Sequence, residues 1–358
     1  MKKLFYFAAA AVALAACAKN EVIPVNSGES QEITFNVAPK TKADPQAFSA
    51  NNVFASWAYY LPNGKNWSEN WKDAQEYISS SEISFNNGVW KNKDITYAWP
   101  HEGSLTFFAY SLNSNKLTDP SGTGSFLYCE KSDAGTSENK VDQYGITGTI
   151  DLDVNNNVDF LVADIASDKT ANESKYNFNG VPTLFRHRLS KVKFAIKKKS
   201  DYPNTTITLN SIQFNNLSHA MHYTQFQKDK VTDEFQEVLK PVDAVSTQVY
   251  TNTNVEVTTD FVAIADEKEV RYIYIPQNFS TVNTTATIEV KYTVDQKIGG
   301  TTITKTYTKT LNVKDLFESW EMGKKYTIKL TFTLDEILWA PAVEDWVDAT
   351  PAAGYEVK

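Results

Sequence analysis

Apolar and polar residues alternate with a period of two in most stretches of this chain that have any regular pattern. Near the N-terminus, the stretch QEITFNV at residues 31–37 puts Ile33, Phe35 and Val37 on one face. Successive side chains of a strand point to opposite faces, so this alternation predicts a half-buried β-strand. We expect residues 31–37 to form an edge strand whose three apolar side chains fill a core.

The cleanest alternation lies in the second half of the chain. Residues 285–294, TATIEVKYTV, lead to a Gly299-Gly300 turn, and residues 302–313, TITKTYTKTLNV, follow it. This arrangement predicts a β-hairpin with a solvated side that carries Lys305 and Lys309. A further strand is predicted in KKYTIKLTFTL, residues 324–334, and the best helical candidate is VKDLFESW, residues 313–320.

The length of 358 residues exceeds what one ordinary hydrophobic core holds, which favours two domains. Short strands with almost no amphipathic helix between them indicate an all-β protein built of antiparallel β-sandwiches. We place the boundary within residues 180–199, with a first domain at 31–185 and a second domain at 186–358 that ends in a terminal strand. In the strand that opens the second domain, Leu189 or Val192, Phe194 and Ile196 are expected to point inward. Lys191, Lys193 and Lys197 are expected to point outward.

The first sixteen residues have the features of an export signal. Two lysines precede an apolar run that is too short to span a membrane, and Ala15 and Ala16 precede Cys17. The stretch Leu14 to Cys17 resembles a bacterial lipobox, so Cys17 is predicted to carry lipid and residues 17–30 to form a flexible tether. The alternative is an ordinary secretory signal with an incidental cysteine. If Cys17 carries lipid, Cys129 is left alone and no intramolecular disulfide forms.

Composition and motifs argue against two large classes of function. The formal net charge of −8 argues against nucleic acid, whose binding needs a basic face. The chain also has no nucleophile elbow, no phosphate-binding glycine loop and no zinc-protease helix. We therefore predict neither enzyme activity nor a cofactor.

Four sets of residues are weighed as ligand sites. His219 and His222 are three apart, which on a strand puts the rings on opposite faces, so no metal site is predicted there. His187 lies between two arginines and is interpreted as a structural, hydrogen-bonded histidine. The loop from Asp151 to Asp159 is rich in oxygen ligands but lacks the glycine and the closing glutamate of a helix–loop–helix calcium site, so a polar turn and a calcium site both stay open.

Trp67 and Trp71, the fourth set, lie in the loop NGKNWSENW and are expected to be the exposed pair of a tryptophan-rich region. Exposed tryptophans stack on sugar rings, whereas buried ones belong to the core. Glycan binding by this pair is therefore the alternative function.

The chain as a whole resembles the fimbrillin-like proteins of Bacteroidales, the subunits of type V pili. The resemblance rests on the order of several stretches: a lipoprotein signal, ITFNV, TKA, GVWKNKDITYAWPHEGSLTFFAYS, VDFLVAD, LFRHRLSKVKFAI, MGKKYTIKLTF and VEDW. It implies two β-sandwich domains of transthyretin-like topology, export as a lipoprotein to the outer membrane, and surface assembly with other pilus subunits by strand exchange. It also implies adhesion to a host or bacterial surface and no enzyme activity.

The chain departs from the family pattern where a subunit is activated by proteolysis. The family is typically cut by a trypsin-like, often arginine-specific, protease, but here the segment after the first strand offers only Lys40 and Lys42. Either a lysine-tolerant protease acts, or the subunit keeps its lipid and serves as an anchor or accessory component. The donor strand is expected within the C-terminal stretch EILWAPAVEDWVDA, with Leu338, Val343 and Trp346 as anchors.

Overall fold

A computed structural model of the chain describes residues 31–37, 48–114, 116–117, 128–130, 144–152, 159–171, 180–228, 235–264 and 273–345. In chain order their strands are β1 (Thr34–Val37), β2 (Val53–Leu61), β3 (Gln75–Asn86), β4 (Val89–Asn92), β5 (Ser104–Ser111), β6 (Tyr128–Glu130), β7 (Gly145–Asp151), β8 (Leu161–Ala163), β9 (Ala166–Lys169), β10 (Val181–Thr183), β11 (Phe185–His187), β12 (Ser190–Lys198), β13 (Thr205–Lys228), β14 (Phe235–Glu256), β15 (Val262–Ala263), β16 (Ile273–Tyr274), β17 (Gln277–Asn278), β18 (Thr287–Ile298), β19 (Thr301–Asn312), β20 (Ser319–Trp320), β21 (Lys324–Phe332) and β22 (Ile337–Asp345).

The predicted all-β class is confirmed. Among the described residues the α-helical content is the single turn α1 (Trp67–Asn70). The helix predicted at residues 313–320 is wrong: Val313–Asp315 form one 3₁₀ turn, and Ser319 and Trp320 then pair with β17. An eight-residue helix gains little by itself, and this strand pairing holds Trp320 in the core, where it is 1% exposed.

As names for two regions of the chain, we use first domain for the described residues up to the end of β11 and second domain for those that follow. The first domain contains a sheet with the strand order β10-β1-β4-β3-β2-β5-β8-β11, and β9 also pairs with β5. Its two end strands, β10 and β11, are separated in sequence only by Leu184. The ends of the sheet therefore lie close together, and the sheet curls around on itself. Because both of its faces are covered, every residue of β2 and of β5 is buried.

A second sheet runs through both domains. The first half of β13 pairs with β18, its second half pairs with β7, and β14 follows β13 along both halves. The far half of this long hairpin therefore covers the outer face of the curled sheet. Met221 and Tyr223 of that half, both 0% exposed, pack in one cluster with Trp57 and Tyr110 of the first domain. We call residues 218–242 of β13 and β14 the arm.

The second domain packs the first half of β13, together with β18 and β19, against the sheet β15-β12-β21-β22. In β12, Val192, Phe194 and Ile196 are buried in this core, as their alternation predicts. Lys191 lies on the opposite face of the strand, as predicted, but is only 3% exposed. Strands β19 and β22 form edges of the two sheets.

Candidate functional site

Strand β1 lies between two other strands. Phe35 is opposite Val181 of β10 in a parallel pairing and opposite Trp90 of β4 in an antiparallel one. The expectation that residues 31–37 form an edge strand is therefore wrong. The three-residue strand β10 closes the sheet beyond β1, and the sequence pattern did not reveal it because β10 is short and far along the chain.

The side chains of β1 enter the core of the curled sheet. Ile33 is 2% exposed and Phe35 is 4% exposed, while Val37 is half-buried. The ring of Phe35 meets those of Phe54 and Phe107 edge to face, with centroid distances of 5.3 and 5.8 Å. Full burial of such side chains stabilises a domain by roughly 1.5–3 kcal/mol each. The first domain thus depends on β1 for part of its core.

Gly180 allows β10 to approach β1 closely. Its φ of +114° lies in a region that residues with a side chain rarely adopt. A Cβ atom there would also lie 2.8 Å from the carbonyl carbon and oxygen of Thr34. Both the backbone conformation and the close contact therefore require glycine at the position where β10 closes over β1.

The candidate cleavage residues Lys40 and Lys42, and Cys17, lie outside the described residues. The chain on both sides of residues 38–47 is held by the same core. Val37 ends β1, and the ring of Phe48 stacks on Phe185 with centroids 4.7 Å apart. A cut between Val37 and Phe48 would therefore separate β1 covalently from the rest of the domain.

Strand β22 is held much less firmly than β1. It pairs antiparallel with β21 along its whole length, but only Ile337 among its nine residues is buried. Leu338 and Val343 are 46% and 55% exposed. Val343 is opposite the buried Tyr326, whereas Leu338 is opposite Thr331, so the two candidate anchors lie on opposite faces. Trp346 lies outside the described residues.

The two candidate glycan-binding tryptophans do not form a common exposed face. Trp67 is 3% exposed and packs against Tyr59, Phe108 and Tyr144. Trp71 is half-buried, with the Lys72 ammonium 5.3 Å from its ring centroid. The expectation of an exposed pair is therefore wrong for Trp67.

The reason Trp67 is buried is the short helix that follows Asn66. The Asn66 side chain accepts a hydrogen bond from the Glu69 amide and caps α1. The Asp168 carboxylate accepts from the Trp67 amide at 2.9 Å and ties the helix to the curled sheet. Burial raises the pKa of Asp168, while the bonds from Trp67 and Ser104 oppose that rise. The alternative function, glycan binding, therefore lacks the pair of exposed tryptophans on which it depends.

Two histidines contact the two aspartates at the ends of the oxygen-rich loop. His187 Nδ1 lies 2.8 Å from Asp159 Oδ2 in the interior, which agrees with a structural histidine. His219 Nδ1 lies 2.7 Å from Asp151 Oδ1, while His222 faces Thr149. Residues 153–158 of the calcium-like loop lie outside the described residues. Within the described parts of the chain, no group of three or more His, Cys, Asp or Glu side chains is placed to hold a metal.

Sequence reasoning missed one buried polar network. Arg188, between the two domains, pairs with Glu237 of the arm, and the Tyr223 hydroxyl donates to the same carboxylate. Burial, and then the Glu237 charge, raise the pKa of Tyr223 well above its ordinary value. Burial opposes the charged form of Arg188, but Tyr223 and Glu237 together raise its pKa. Because the Arg188 amide also donates to the Phe160 carbonyl of the first domain, the network fastens the arm against that domain.

Together these features define an all-β protein in which a hairpin from the second half of the chain covers one face of a curled N-terminal sheet. The profile of the family described as fimbrillin-like matches residues 41–346, and the chain belongs to this family. No curated protein matches the chain. Among the parts described, no helix is long and apolar enough to cross a membrane.

The solved structures that match this chain include the following three. A fimbrial protein from Bacteroides vulgatus is 17% identical, with a TM-score of 0.63 over 88% of this chain and 99% of its own. A candidate cell adhesion protein from Bacteroides uniformis is 17% identical, with a TM-score of 0.49 over 88% and 99%. The tip fimbrial protein Mfa3 from Porphyromonas gingivalis, with a C-terminal truncation, is 11% identical, with a TM-score of 0.36 over 88% and 100%.

Proposed function

We propose that this chain is a structural subunit, or an anchor or accessory component, of a cell-surface type V pilus that assembles by strand exchange and supports adhesion. Membership of the fimbrillin-like family and the fold shared with the Bacteroides vulgatus fimbrial protein support this proposal. The observation that carries it is the position of β1, which fills the core between β4 and β10 and is followed by a segment with two lysines.

Cleavage after Lys40 or Lys42 would allow β1 to leave. Its departure would open a slot with the edges of β4 and β10 on either side and an apolar floor that includes Phe54 and Phe107. Unpaired backbone groups and exposed apolar surface must be covered. A strand supplied by another subunit covers both at once. Donation of this head-to-tail kind does not close on itself, so it builds a filament.

The C-terminal strand is the proposed donor. Ile337 is the one buried residue of β22, and Trp339 packs against the core from a partly buried position, so releasing this strand uncovers one buried side chain and one partly buried one. Removing β1 from its own domain, by contrast, uncovers Ile33 and Phe35. The period of two would place Leu338 and Trp346 on one face of a straight donor strand and Val343 on the other. The slot would therefore receive either the side chains of Leu338 and Trp346 or that of Val343.

Membrane attachment is proposed through lipid on Cys17, which places the precursor at the outer membrane and the cell surface. The motivating observation is the Leu-Ala-Ala-Cys context. We expect metabolic labelling with a fatty-acid analogue to tag the wild-type chain and not Cys17→Ser. Equal labelling of both would contradict lipid attachment at Cys17 and would leave the strand-exchange proposal unaffected.

The test of assembly uses purified chain and a lysine-specific protease. We expect cleavage after Lys40 or Lys42, seen by mass spectrometry, followed by polymers in negative-stain electron microscopy. The matched control is Lys40→Ala/Lys42→Ala, which should stay uncut at this segment and monomeric. Efficient cleavage that leaves only monomers, or filaments formed by the uncut variant, would contradict the mechanism and favour the anchored accessory role.

A further inference from the structure

Strand β19 is a long, open edge of the second domain. Its twelve residues pair with β18 on one side. On its other side no strand of the described residues is bound. Most of its residues are exposed on both faces, including Ile303 at 45%. Such an edge is a template for another strand unless the protein restricts what can pair there.

The two faces of β19 differ sharply in chemistry. The register with β18 puts Ile303, Lys305, Tyr307, Lys309 and Leu311 on the face that continues the core face of β18. The opposite face carries threonine at positions 302, 304, 306, 308 and 310. The lysines share their face with the apolar residues, as the period of two predicts; Lys305 is exposed and Lys309 is half-buried.

Lys305 and Lys309 flank an aromatic ring on this inward face. Tyr307 stacks on the buried Tyr292 with centroids 5.2 Å apart, and the Lys309 ammonium lies 5.8 Å from the Tyr307 centroid. Neither lysine forms an ion pair within the described part of the chain. On the facing sheet, the charges of Asp335 and Glu336 in the β21–β22 turn act on Tyr292.

These lysines select against two kinds of incoming strand. In antiparallel pairing of two copies centred on Tyr307, Lys305 of each copy would lie opposite Lys309 of the other, and like charges directly opposite destabilise a sheet. A wholly apolar strand would place uncharged side chains against both ammonium groups and partly desolvate them. An acidic side chain opposite each lysine removes both penalties.

We propose that the free edge of β19 binds an extended segment of a partner protein in which apolar and acidic residues alternate on one face. The backbone groups of β19 supply the affinity, as in other cases of strand addition. The series Ile303, Lys305, Tyr307, Lys309 and Leu311 supplies the specificity, with acidic side chains opposite the two lysines. This surface is distinct from the slot of β1, so it binds a partner whether or not the chain polymerises.

Three labelled synthetic strands test the proposal by fluorescence anisotropy on the chain from residue 17 onward, with Cys17→Ser. In the matched strand, threonine alternates with the series Val, Glu, Val, Glu, Val. In the second strand lysine replaces both glutamates, and in the third each glutamate is exchanged with the following threonine and so changes face. We expect the matched strand to bind at least about tenfold more tightly than either other strand, equivalent to about 1.4 kcal/mol. We also expect its binding to weaken as salt rises.

A charge exchange on the protein gives the complementary test. Lys305→Glu/Lys309→Glu should reverse the preference, so that the lysine strand binds more tightly than the glutamate strand. The matched control is Lys291→Glu/Lys297→Glu, which makes the same change of net charge on the outer face of the neighbouring β18 and should keep the original preference. Circular dichroism shows that each variant is folded, and hydrogen exchange should show new protection in β19 on binding.

Three results would overturn the proposal. The first is equal binding of the matched and the face-exchanged strands. The second is the same effect of both double variants, which would indicate attraction to net charge alone. The third is the absence of binding of every strand at millimolar concentration while the protein is folded.

Discussion

The second domain builds its core from its own strands, whereas the first domain does not. The second core extends from Val192 to Ile337 and consists entirely of residues that follow the crossover at Arg188. The first domain needs Met221 and Tyr223 from the arm on one face of its curled sheet. Its other face packs against Ile33 and Phe35, which come from its own first strand and the residue before it. The two domains therefore differ in how far each can fold by itself.

This difference bears on how a strand could leave without loss of the whole fold. The arm and β1 contact opposite faces of the curled sheet, because Met221 belongs to the cluster around Trp57, while Phe35 belongs to the cluster around Phe54. Loss of β1 would open one face and leave the other covered by a hairpin rooted in the second domain. We infer that the second domain is the stable base on which the first is held.

Separating the domains should have the largest effect. A fragment of residues 187–358 keeps the whole second core, so we expect it to be folded, with a β-sheet circular dichroism spectrum and a cooperative thermal transition. A fragment of residues 31–186 lacks the arm, and we expect it to be unfolded or aggregated. An unfolded C-terminal fragment would mean either that the boundary is misplaced or that each domain needs the other in order to fold. A cooperatively folded N-terminal fragment would contradict the role of the arm.

Removing one side chain from β1 and one from β22, the two strands of the proposed exchange, should lower the stability by clearly different amounts. Phe35→Ala leaves a cavity among Phe54 and Phe107, and large-to-small changes of a buried phenylalanine cost about 3–5 kcal/mol. Val343→Ala alters a side chain that is 55% exposed and should change the free energy of unfolding by less than about 0.5 kcal/mol. Urea unfolding of both variants measures the difference, and similar costs would mean that β22 is held as firmly as β1.

Breaking the polar network of the arm should have the next largest effect on the free energy of unfolding. Glu237→Ala leaves Arg188 buried without its partner, a change that typically costs about 3 kcal/mol or more. The control, Asp345→Ala, removes the exposed ion pair with Lys324 and should cost at most about 1 kcal/mol. A double variant, Arg188→Met/Glu237→Leu, should regain much of the loss, because it leaves no unpaired charge. If Glu237→Ala costs no more than Asp345→Ala, the network does not fasten the arm.

The sequence predicted individual strands better than their connections. Alternation identified the buried residues of β12 and the hairpin of β18 and β19, because side-chain direction in a strand follows directly from its period. It did not reveal that β1 lies inside a sheet, since the three-residue β10 shows no period of its own. It also did not reveal the arm, because a strand pattern does not say that its two halves belong to different domains.

The candidate sites also divide into features that local sequence predicts and features that depend on contacts between distant residues. The engagement of His187 with Asp159 fits the structural role assigned from its neighbours in sequence. The polar loop composition predicts an exposed Trp67, but Asp168 and Asn66 hold a short helix there that buries its side chain. Such contacts between residues about a hundred positions apart have no local signature. The period of two puts the lysines of β19 on one face with Tyr307, but only the register with β18 shows that this face continues the core face of β18.

The smallest expected effect concerns a tyrosine of the second domain and depends on pH. Burial, followed by the influence of Tyr307, Asp335 and Glu336, raises the pKa of Tyr292 from 10.0 to about 12. A raised pKa in the folded state contributes stability that is fully present below pH 10 and is lost as pH rises through about 12. The Tyr292 hydroxyl is also buried without a hydrogen-bond partner in the described residues. An unpaired buried hydroxyl gains nothing at neutral pH.

Tyr292→Phe should therefore leave the free energy of unfolding unchanged or slightly higher at pH 7 and should reduce its fall between pH 10 and pH 12. Tyr326 is the matched comparison, because burial also raises its pKa to about 12, but its hydroxyl accepts a hydrogen bond from the Glu321 amide. Tyr326→Phe should reduce the alkaline fall in the same way and yet cost about 1 kcal/mol at pH 7. Urea unfolding at pH 7 and at several values above pH 10 measures both. Because both residues belong to the second core, the 187–358 fragment should show the same two responses. If only the full chain shows them, the tyrosines report on contacts with the first domain, and the second core is less independent than its strands indicate.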